Sequence, residues 1–341
     1  MTAADFLSKY EIDFSQSLDQ KGLGSVYIAK DKETEEVFAL KIVELHPLFD
    51  KGEVKERFDF ASELKHQALL PYFACYRFPN DETIQHFVLM PYKEKGSLAD
   101  NLEEIPFSEK LRLLEKILSG LVYLHGHNCS WQMLRSDHIL LQNVNDEIEP
   151  QFINYGTKLK INTAFLTNFE YLAPEQLLEE NDENFNGPAA DIWAFAVLVF
   201  EVFSGQLPFG RKTVQNPNKK IMERISRLEI ADLFDKIPEQ YVKIIKKSLV
   251  LNPCERPSAN EILNLIKEAE IVKPTNADKE ISVLKTLEKM GDDYSTDENT
   301  SGSLAFFSRK IKRRASAPLS LWEPVLWISL AFLAGYLISK L

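Results

Sequence analysis

Two segments in the first part of the chain contain residue types that can bind a phosphate group. Gly22 and Gly24 precede a β-type run, and glycines let backbone N–H groups approach a phosphate closely. Lys41 lies in the run Phe38-Ala39-Leu40-Lys41-Ile42-Val43, where its ammonium group could neutralise phosphate charge. Taken singly, a lysine on a strand is usually solvated, and two nearby glycines usually form a turn. Their interpretation therefore depends on the other motifs of the chain.

A second group of candidate residues lies between residues 131 and 156. It comprises the runs Trp131-Gln132-Met133, Arg135-Ser136-Asp137-His138 and Asn154-Tyr155-Gly156. The thioether of Met133 has no basic lone pair suited to accept a hydroxyl proton. Asn154 offers magnesium one neutral carbonyl oxygen, and the imidazole of His138 suits softer metals. These residue types predict weak proton transfer and no metal site.

The order and spacing of these runs resemble the protein kinase superfamily. That family has His-Arg-Asp where this chain has Trp131-Gln132-Met133, and Asp-Phe-Gly where it has Asn154-Tyr155-Gly156. The resemblance implies that Lys41 pairs with the phosphates of ATP. It also places Met133 at the position of the catalytic base and Asn154 at a magnesium-binding position.

The same resemblance defines a candidate nucleotide site. Arg135 replaces the lysine of the catalytic loop and is a candidate phosphate contact. Glu56 is the candidate acid that aligns the lysine, provided that its helix is shifted by one residue relative to Arg57. Because both magnesium positions are weakened, the expected cofactor is ATP with weak or no magnesium dependence, or none. The candidate cofactor-binding residues are Lys41, Gly22, Gly24, Val26, Ala39, Met90, Tyr92 and Leu140.

Motifs that support the kinase fold are complete. Tyr171-Leu172-Ala173-Pro174-Glu175 matches the family's Ala-Pro-Glu segment, and Asp191 begins a run that matches its central buried helix. Cys254-Glu255-Arg256-Pro257 contains the arginine that pairs with the glutamate of that segment. The resemblance implies a buried ion pair between Glu175 and Arg256, and breaking one side of such a pair is costly.

The periodicity of the chain predicts strands first and helices later. Short β-branched or aromatic segments occupy residues 10–18, 25–30, 37–43, 70–77 and 86–90. Helical spacing occupies residues 53–65, 107–124, 191–203, 219–228, 239–249 and 259–269. We expect an α+β, bilobal kinase-like fold with a β-rich N-lobe at 8–91 and a helical C-lobe at 92–270.

The C-terminal part of the chain has a different character. Residues 271–318 form a polar linker that ends in the basic juxtamembrane run Arg309-Lys310-Ile311-Lys312-Arg313-Arg314. Residues 319–341 are apolar enough for a transmembrane anchor, and the basic flank would keep the kinase-like domain in the cytosol. An apolar helix that docks on the domain or lies in the membrane interface is the alternative. Ser316 follows two arginines and is a candidate phosphorylation site.

Composition narrows the classes of partner. The formal net charge of −11 argues against a nucleic-acid partner, because binding phosphate backbones requires a basic surface. Three cysteines without metal-ligand spacing, namely Cys75, Cys129 and Cys254, are typical of a reducing compartment. The N-terminus lacks the features of a signal peptide.

Three functional hypotheses follow. The first is a membrane-tethered pseudokinase that acts as a scaffold or allosteric regulator of signalling proteins. The second is an active, atypical Ser/Thr kinase that uses Lys41 and Arg135 on the phosphates of ATP. The third is a nucleotide sensor without turnover. We also predict that Trp131 and Tyr155, which are larger than the family's His and Phe, hold the two lobes in one arrangement.

Overall fold

The N-lobe is built on one antiparallel sheet. A computed structural model of the chain describes residues 2–19, 24–47, 52–80, 82–145, 147–155, 169–177 and 187–272. The strands are β1 Tyr10–Asp19, β2 Ser25–Asp31, β3 Val37–Leu45, β4 Ala74–Pro79 and β5 Ile84–Pro91. Their order in the sheet is β1-β2-β3-β5-β4. Every strand therefore pairs with β2, β3 or β5, and β3 lies at the centre.

The predicted strand at 70–77 begins later than expected. Leu69 forms a bridge with Phe152, and the backbone N–H of Leu70 donates to the carbonyl of Phe152. Because this backbone pairs with the C-lobe hairpin, it cannot join the N-lobe sheet, and β4 starts at Ala74. The bounds of the other four predicted strands lie within two residues of the observed ones.

A glycine is required where β2 begins. Gly24 has a φ of +119°, and a Cβ atom at this position would lie 2.3 Å from the carbonyl oxygen of Ile42 in β3. The predicted glycine-rich segment therefore reaches close contact with the strand that contains Lys41. The sheet register places Lys41 opposite both Val26 and Val88. Gly22 lies outside the described residues.

A short helix that we did not predict precedes the sheet. Helix α1, Ala3–Lys9, starts with a capping box in which Thr2 and Asp5 satisfy each other's backbone N–H groups. Phe6 is completely buried on the outer face of the sheet, among residues that include Leu40 and Phe87. The signal was the Thr-x-x-Asp spacing, but a helix of two turns has too few apolar positions to show a period.

Helix α2, Glu53–Glu63, packs beside β4 and β5. It ends where the N–H of Leu64 donates to the carbonyl of Ala61. Ala61 is buried, whereas Glu56 is exposed to solvent. The side chain of Arg57 lies outside the described part of the chain. The helix thus presents Ala61 and Phe58 toward the core that the two lobes share.

The described part of the C-lobe is mainly helical and contains a β-hairpin that we did not predict. Its helices are α3 Leu98–Asn101, α4 Phe107–Gly126, α5 Gly187–Ser204, α6 Asn218–Arg227, α7 Glu239–Ser248 and α8 Ala259–Val272. The hairpin consists of β6 Ile139–Val144 and β7 Glu147–Phe152. Helix α5 is apolar on nearly all sides and lies at the centre of the lobe, as its sequence predicted. The loop at 131–138 leads directly into β6, and Asn154 follows the end of β7, so the hairpin places the two segments next to each other.

Within the described residues, membrane-length helices are limited to one. One helix there, α5, is long and apolar enough to cross a bilayer, and 89% of it is buried inside the protein. The apolar surface of α5 is therefore buried in the core of the C-lobe. Helix α8 continues through residues 271 and 272, where we expected the linker to begin. The rest of the predicted linker, which includes Ser316, and the predicted anchor at 319–341 lie outside the described residues.

Candidate active site

A buried carboxylate forms hydrogen bonds with the backbone of the loop at 131–133. Asp191, near the start of α5, accepts hydrogen bonds from the backbone N–H of Trp131 at 2.6 Å and of Gln132 at 2.5 Å. The Nε2 atom of His125 lies 3.0 Å from the same carboxylate. These contacts compensate for the left-handed backbone of Gln132, whose φ is 57°. The structural role predicted for Asp191 therefore has a geometric basis in this loop.

Trp131 links the loop to the hairpin. Its ring is completely buried, and it stacks on Phe152 with the ring centroids 4.1 Å apart. The indole N–H donates to the carbonyl oxygen of Ile153 at 2.9 Å, so the polar group of the ring is satisfied.

Helix α4 also packs closely against Phe152. A Cβ atom at Gly120 would lie 2.6 Å from the ring of Phe152, so α4 needs a glycine there.

Tyr155 joins this loop region to the N-lobe. Its hydroxyl donates to the carbonyl oxygen of Leu70 at 2.6 Å, and the carbonyl oxygen of Ala61 in α2 lies 3.5 Å away. Its ring packs against Tyr72, and Tyr72 packs edge-on against Phe58 of α2. Burial raises the pKa of Tyr155 well above its ordinary value, which keeps the hydroxyl a neutral donor. Sequence reasoning missed Tyr72 and Phe58, because their spacing alone does not indicate a shared contact.

Lys41 and Asn154 meet across the cleft. The Nζ atom of Lys41 donates to Oδ1 of Asn154 at 2.9 Å. The backbone N–H of Asn154 donates to the hydroxyl of Tyr72 at 2.9 Å, and Asn154 has a φ of 60°. Asparagine tolerates this left-handed conformation better than most residues. The exposed Glu56, our candidate acid for Lys41, stays a prediction.

Met133, at the position of the catalytic base, is part of the packing. Its side chain is half-buried and lies against the C-lobe core, and its carbonyl oxygen accepts a hydrogen bond from Nδ1 of His138 at 2.8 Å. Burial, with a further contribution from the Arg135 guanidinium, lowers the pKa of His138 to about 4. The imidazole is therefore neutral at pH 7.

Arg135 and Asp137 form a two-pronged ion pair. The Nε and Nη2 groups of Arg135 donate to the two carboxylate oxygens of Asp137. The candidate phosphate contact thus has a carboxylate partner already in place. A nucleotide would have to compete with Asp137 for this guanidinium.

The remaining candidate nucleotide contacts are apolar side chains from both lobes. Ala39 and Met90 are buried and face each other in the register of β3 and β5. Val26, Tyr92 and Leu140 are partly buried and pack against the same core. The structure brings these five predicted residues to the junction of the two lobes.

The predicted pair of Glu175 and Arg256 is formed. The two Nη atoms of Arg256 lie 2.6 and 2.8 Å from the carboxylate oxygens of Glu175. Arg256 also donates to the carbonyl oxygens of Val250 and Ala189, which satisfies the remaining face of its guanidinium. These contacts fix the segment at 169–177 to the C-lobe helices.

A second buried carboxylate was not among our candidates. Glu201 in α5 contacts the hydroxyl of Tyr171 and accepts a hydrogen bond from Arg211 at 3.0 Å. The hydroxyl of Tyr171 also accepts from the backbone N–H of Ser136 at 3.3 Å. Glu201 lies within an apolar helix run, and nothing in that pattern indicates its partners. The contacts add a polar link between the loop at 136 and α5.

Comparison with known proteins decides the family. A model of the protein kinase domain matches residues 14–265. The chain belongs to the protein kinase family. A protein kinase domain implies ATP binding, usually with magnesium. The match spans both lobes and confirms the kinase fold that the motifs predicted.

Several kinases from distant organisms are similar to this kinase domain. Mitogen-activated protein kinase kinase kinase nsy-1 from Caenorhabditis elegans is 25% identical over 75% of this chain and 18% of its own length. Calcium-dependent protein kinase 4 from Plasmodium berghei is 27% identical over 72% of this chain and 47% of its own length. Serine/threonine-protein kinase STE20 from Candida glabrata is 24% identical over 82% of this chain and 30% of its own length. The chain thus spans less than half the length of each of these relatives.

The residues at the family's magnesium positions do not fit this metal. Magnesium prefers charged oxygen ligands, but the chain places an amide oxygen at Asn154 and a neutral imidazole at His138. The amide oxygen already accepts from Lys41, and the carboxylate of Asp137 is paired with Arg135. Across the described residues, no group of three or more His, Cys, Asp or Glu side chains could hold a metal ion.

Proposed function

We propose that this kinase domain is a pseudokinase that works as a scaffold or allosteric regulator of signalling proteins. The observation that supports this proposal most strongly is Met133. A thioether packed against the core stands where the family has its proton-accepting carboxylate, and the Met133 carbonyl is occupied by His138.

The surrounding geometry supports the same proposal. Phosphoryl transfer depends on positioning and on neutralising charge, for which kinases use two magnesium ligands. Here Lys41 is held by a neutral amide and Arg135 by a carboxylate. By contrast, the contacts of Asp191, Glu175 and Arg256 that support the fold are all present. The chain has kept the kinase architecture without the groups that transfer needs.

Labelled phosphate transfer tests the proposal. The purified full chain is incubated with γ-labelled ATP and magnesium or manganese, next to Lys41→Met and the matched surface variant Lys220→Met. We expect the native chain and both variants to incorporate label at the same background level. Incorporation by the native chain and Lys220→Met that disappears in Lys41→Met would establish the atypical kinase instead.

Nucleotide binding without turnover is our second candidate function. It is supported by the ammonium group of Lys41 at the lobe junction and by the apolar residues Val26, Ala39, Met90 and Leu140 around it. The proposed ligand is ATP, bound with weak or no magnesium dependence. ATP at a hundred times its dissociation constant should add about 2.7 kcal/mol to the free energy of unfolding. A thermal shift experiment without magnesium that shows no change would leave a nucleotide-free scaffold.

We further propose that residues 319–341 anchor the domain to a membrane, with the domain in the cytosol. The sequence supports this through its uncharged run and its basic flank. Substituting Leu330→Arg and Leu333→Arg should release the full chain from liposomes in a flotation assay, since each arginine costs about 2.5–3.5 kcal/mol at the centre of a span. Val214→Arg, at an exposed C-lobe residue, is the matched control and should float like the native chain. Equal flotation of all variants would exclude the anchor.

Phosphorylation of Ser316 would reduce the basic charge beside this anchor, which is a proposed electrostatic switch. Its proposed effect is weaker attraction to acidic lipids, by roughly 1 kcal/mol per charge. A Ser316→Asp variant that floats with acidic liposomes as well as Ser316→Ala would exclude the switch.

A further inference from the structure

The outer face of the N-lobe sheet is aromatic, and helix α1 covers only part of it. Phe6 of α1 packs edge-on against Phe87, with the ring centroids 5.2 Å apart. By contrast, Phe73 is 55% exposed, and its ring lies edge-on to that of Phe38 at 5.8 Å. The backbone N–H of Phe73 donates to the carbonyl oxygen of Leu89 at 2.9 Å. The exposed ring is therefore held in place by the sheet.

The rings of Phe38 and Phe73 line a shallow groove at one end of the sheet. The groove has a volume of about 280 Å³ and is formed by Glu36, Val37, Phe38, Phe73, Pro91 and Tyr92. The register pairs Phe38 with Pro91, so the groove lies where β3 begins and β5 ends. The strand ends next to the N-lobe residues outside the described ranges are Asp19, Leu45 and Pro79, and they lie at the opposite end of the sheet. The groove is therefore lined by described side chains.

The rim of the groove is acidic. Glu36 is exposed on the groove, and Glu33 is exposed in the same turn between β2 and β3. Neither carboxylate forms an ion pair with another described residue. The lysines of this turn have other partners, since Lys30 pairs with Glu35 and the ammonium group of Lys32 donates to the backbone carbonyls at the end of α1. A ligand with a basic side chain would thus meet an unpaired carboxylate beside an aromatic surface.

The pairing of the strands that line the groove determines which kind of ligand fits. Strand β3 is paired with β2 and β5, and β5 is paired with β3 and β4, so neither strand has a free edge that could accept a further strand. The ligand must therefore bind through its side chains, with a backbone that needs no partner. A polyproline II segment has this property, because it has no internal hydrogen bonds and proline has no backbone N–H. Proline-rich segments also bind in aromatic-lined grooves in general.

We propose that this groove binds a proline-rich segment of a partner protein, with a basic residue of that segment at Glu36. Phe38 and Phe73 contact the proline rings, and the carboxylate of Glu36 selects the basic residue. Because strand residues alternate between the two faces, Phe38 points away from the cleft that Ala39 and Met90 line. The inference therefore goes beyond the proposed function, and it holds whether or not the cleft binds or turns over ATP.

Fluorescence anisotropy with the purified full chain tests this inference. The probe is a fluorescein-labelled polyproline peptide that ends in two arginines, and the comparison peptide ends in two glutamates. We expect saturable binding of the arginine peptide and a dissociation constant at least about threefold higher for the glutamate peptide. A third peptide, with glycine in place of every second proline, should bind more weakly than the arginine peptide, because it loses the preformed helix.

Two substitutions separate the aromatic contribution from the acidic one. Phe73→Ala should weaken binding of the arginine peptide at least about tenfold, since aromatic anchors dominate contacts of this kind. Phe107→Ala removes a similarly exposed aromatic ring from α4, and this matched control should bind the peptide like the native chain. Glu36→Lys should abolish the preference for arginine over glutamate. Glu82→Lys, in the turn between β4 and β5, makes the same charge change and should retain the preference.

Three results would overturn the inference. The first is a native chain that does not bind the arginine peptide, or that binds it no better than Phe73→Ala does. The second is an equal effect of Glu36→Lys and Glu82→Lys, which would mean that only the overall charge matters. The third is a native chain that sediments as a dimer and that Phe73→Ala dissociates, which would assign the groove to a second copy. Because Glu36→Lys changes an exposed side chain, its result stands even if Phe73→Ala does not fold.

Discussion

His138 shows how one side chain can change the chemistry of a site. In the family's pattern this position holds a metal-binding asparagine, but here the imidazole donates to the carbonyl of Met133 and stays neutral. Burial and the nearby guanidinium of Arg135 lower its pKa, since both disfavour a second positive charge. The residue therefore stabilises the loop through the carbonyl of Met133 and adds no charge of its own at pH 7.

The low pKa of His138 predicts a specific pH dependence of stability. The unfolded chain protonates this histidine below about pH 6.5, whereas the folded chain does so only near pH 4. Between these values the unfolded state binds one more proton, so the free energy of unfolding falls by up to about 1.4 kcal/mol per pH unit as pH drops. His138→Gln removes this contribution, while the other titrating groups remain common to both chains.

Urea unfolding at pH 7 and pH 5 measures the effect. The stability of the native chain relative to His138→Gln should decrease by roughly 1–2 kcal/mol at the lower pH. A difference that stays constant between the two pH values would show that the histidine titrates normally in the folded protein.

At the residue scale, motif spacing identified the candidate site residues but not their hydrogen-bond partners. Lys41, Met133 and Asn154 were identified because each occupies a family position at a fixed distance along the chain. The hydrogen bond between Lys41 and Asn154 joins residues 113 positions apart, and no local pattern encodes it. The pairing of Arg135 with Asp137 is local, but two charges separated by one residue do not reveal whether they face each other or a ligand.

At the element scale, α2 is tied to the segment at 152–155. Tyr155 reaches the carbonyl oxygens of Leu70 and Ala61, and Trp131 reaches that of Ile153. The family's Phe and His would pack in similar places, but a phenylalanine cannot form the hydrogen bonds of a tyrosine. We infer that the hydroxyl and the indole reduce the freedom of α2 to move relative to the C-lobe.

Replacing both side chains tests this link. Trp131→His with Tyr155→Phe leaves the buried carbonyl of Leu70 without its donor and removes most of the stacking on Phe152. We expect a loss of about 2–4 kcal/mol in stability and faster hydrogen exchange in α2. Unchanged unfolding and unchanged exchange would refute the proposed link, while Phe107→Leu, at an exposed position, serves as the control.

Helix α1 makes a separate contribution to the N-lobe. Phe6 is completely buried against the sheet, whereas the neighbouring Leu7 is 45% exposed. Phe6→Ala should destabilise the domain by about 3–5 kcal/mol, because a large aromatic is removed from a packed cluster. Leu7→Ala is the matched control, and thermal unfolding should show a change of less than about 0.5 kcal/mol for it. Equal effects of the two substitutions would mean that α1 is not docked in solution.

The elements that sequence predicted well are those with many apolar positions. Helices α4 and α5 and strand β3 were placed to within a few residues, because their periods repeat several times. Helix α1 and the hairpin of β6 and β7 were missed, since each is too short to show a period. Strand β4 was placed too early, because the pairing of Leu70 with Phe152 is a tertiary contact.

At the scale of the whole molecule, the chain has a protein kinase domain whose supporting contacts are intact, with Met133, His138 and Asn154 at the positions of the family's base and magnesium ligands. The residues at the family's catalytic positions bond to one another. Lys41 donates to the amide oxygen of Asn154, and His138 bonds to the carbonyl oxygen of Met133. Arg135 is paired with Asp137. A domain of this kind can change the activity of a partner through its surface and its conformation. The proposed membrane anchor would concentrate it near partners on the same membrane.

The rate of phosphate transfer, measured with γ-labelled ATP on the full chain, tests the central claim most directly. The comparison is with a variant that restores the family's residues by Met133→Asp, His138→Asn and Asn154→Asp, and with Lys41→Met as the background. We expect the native chain to transfer no more label than Lys41→Met, and we expect any measurable transfer to come from the restored variant. Native transfer that exceeds the Lys41→Met background would show that this domain is an active kinase.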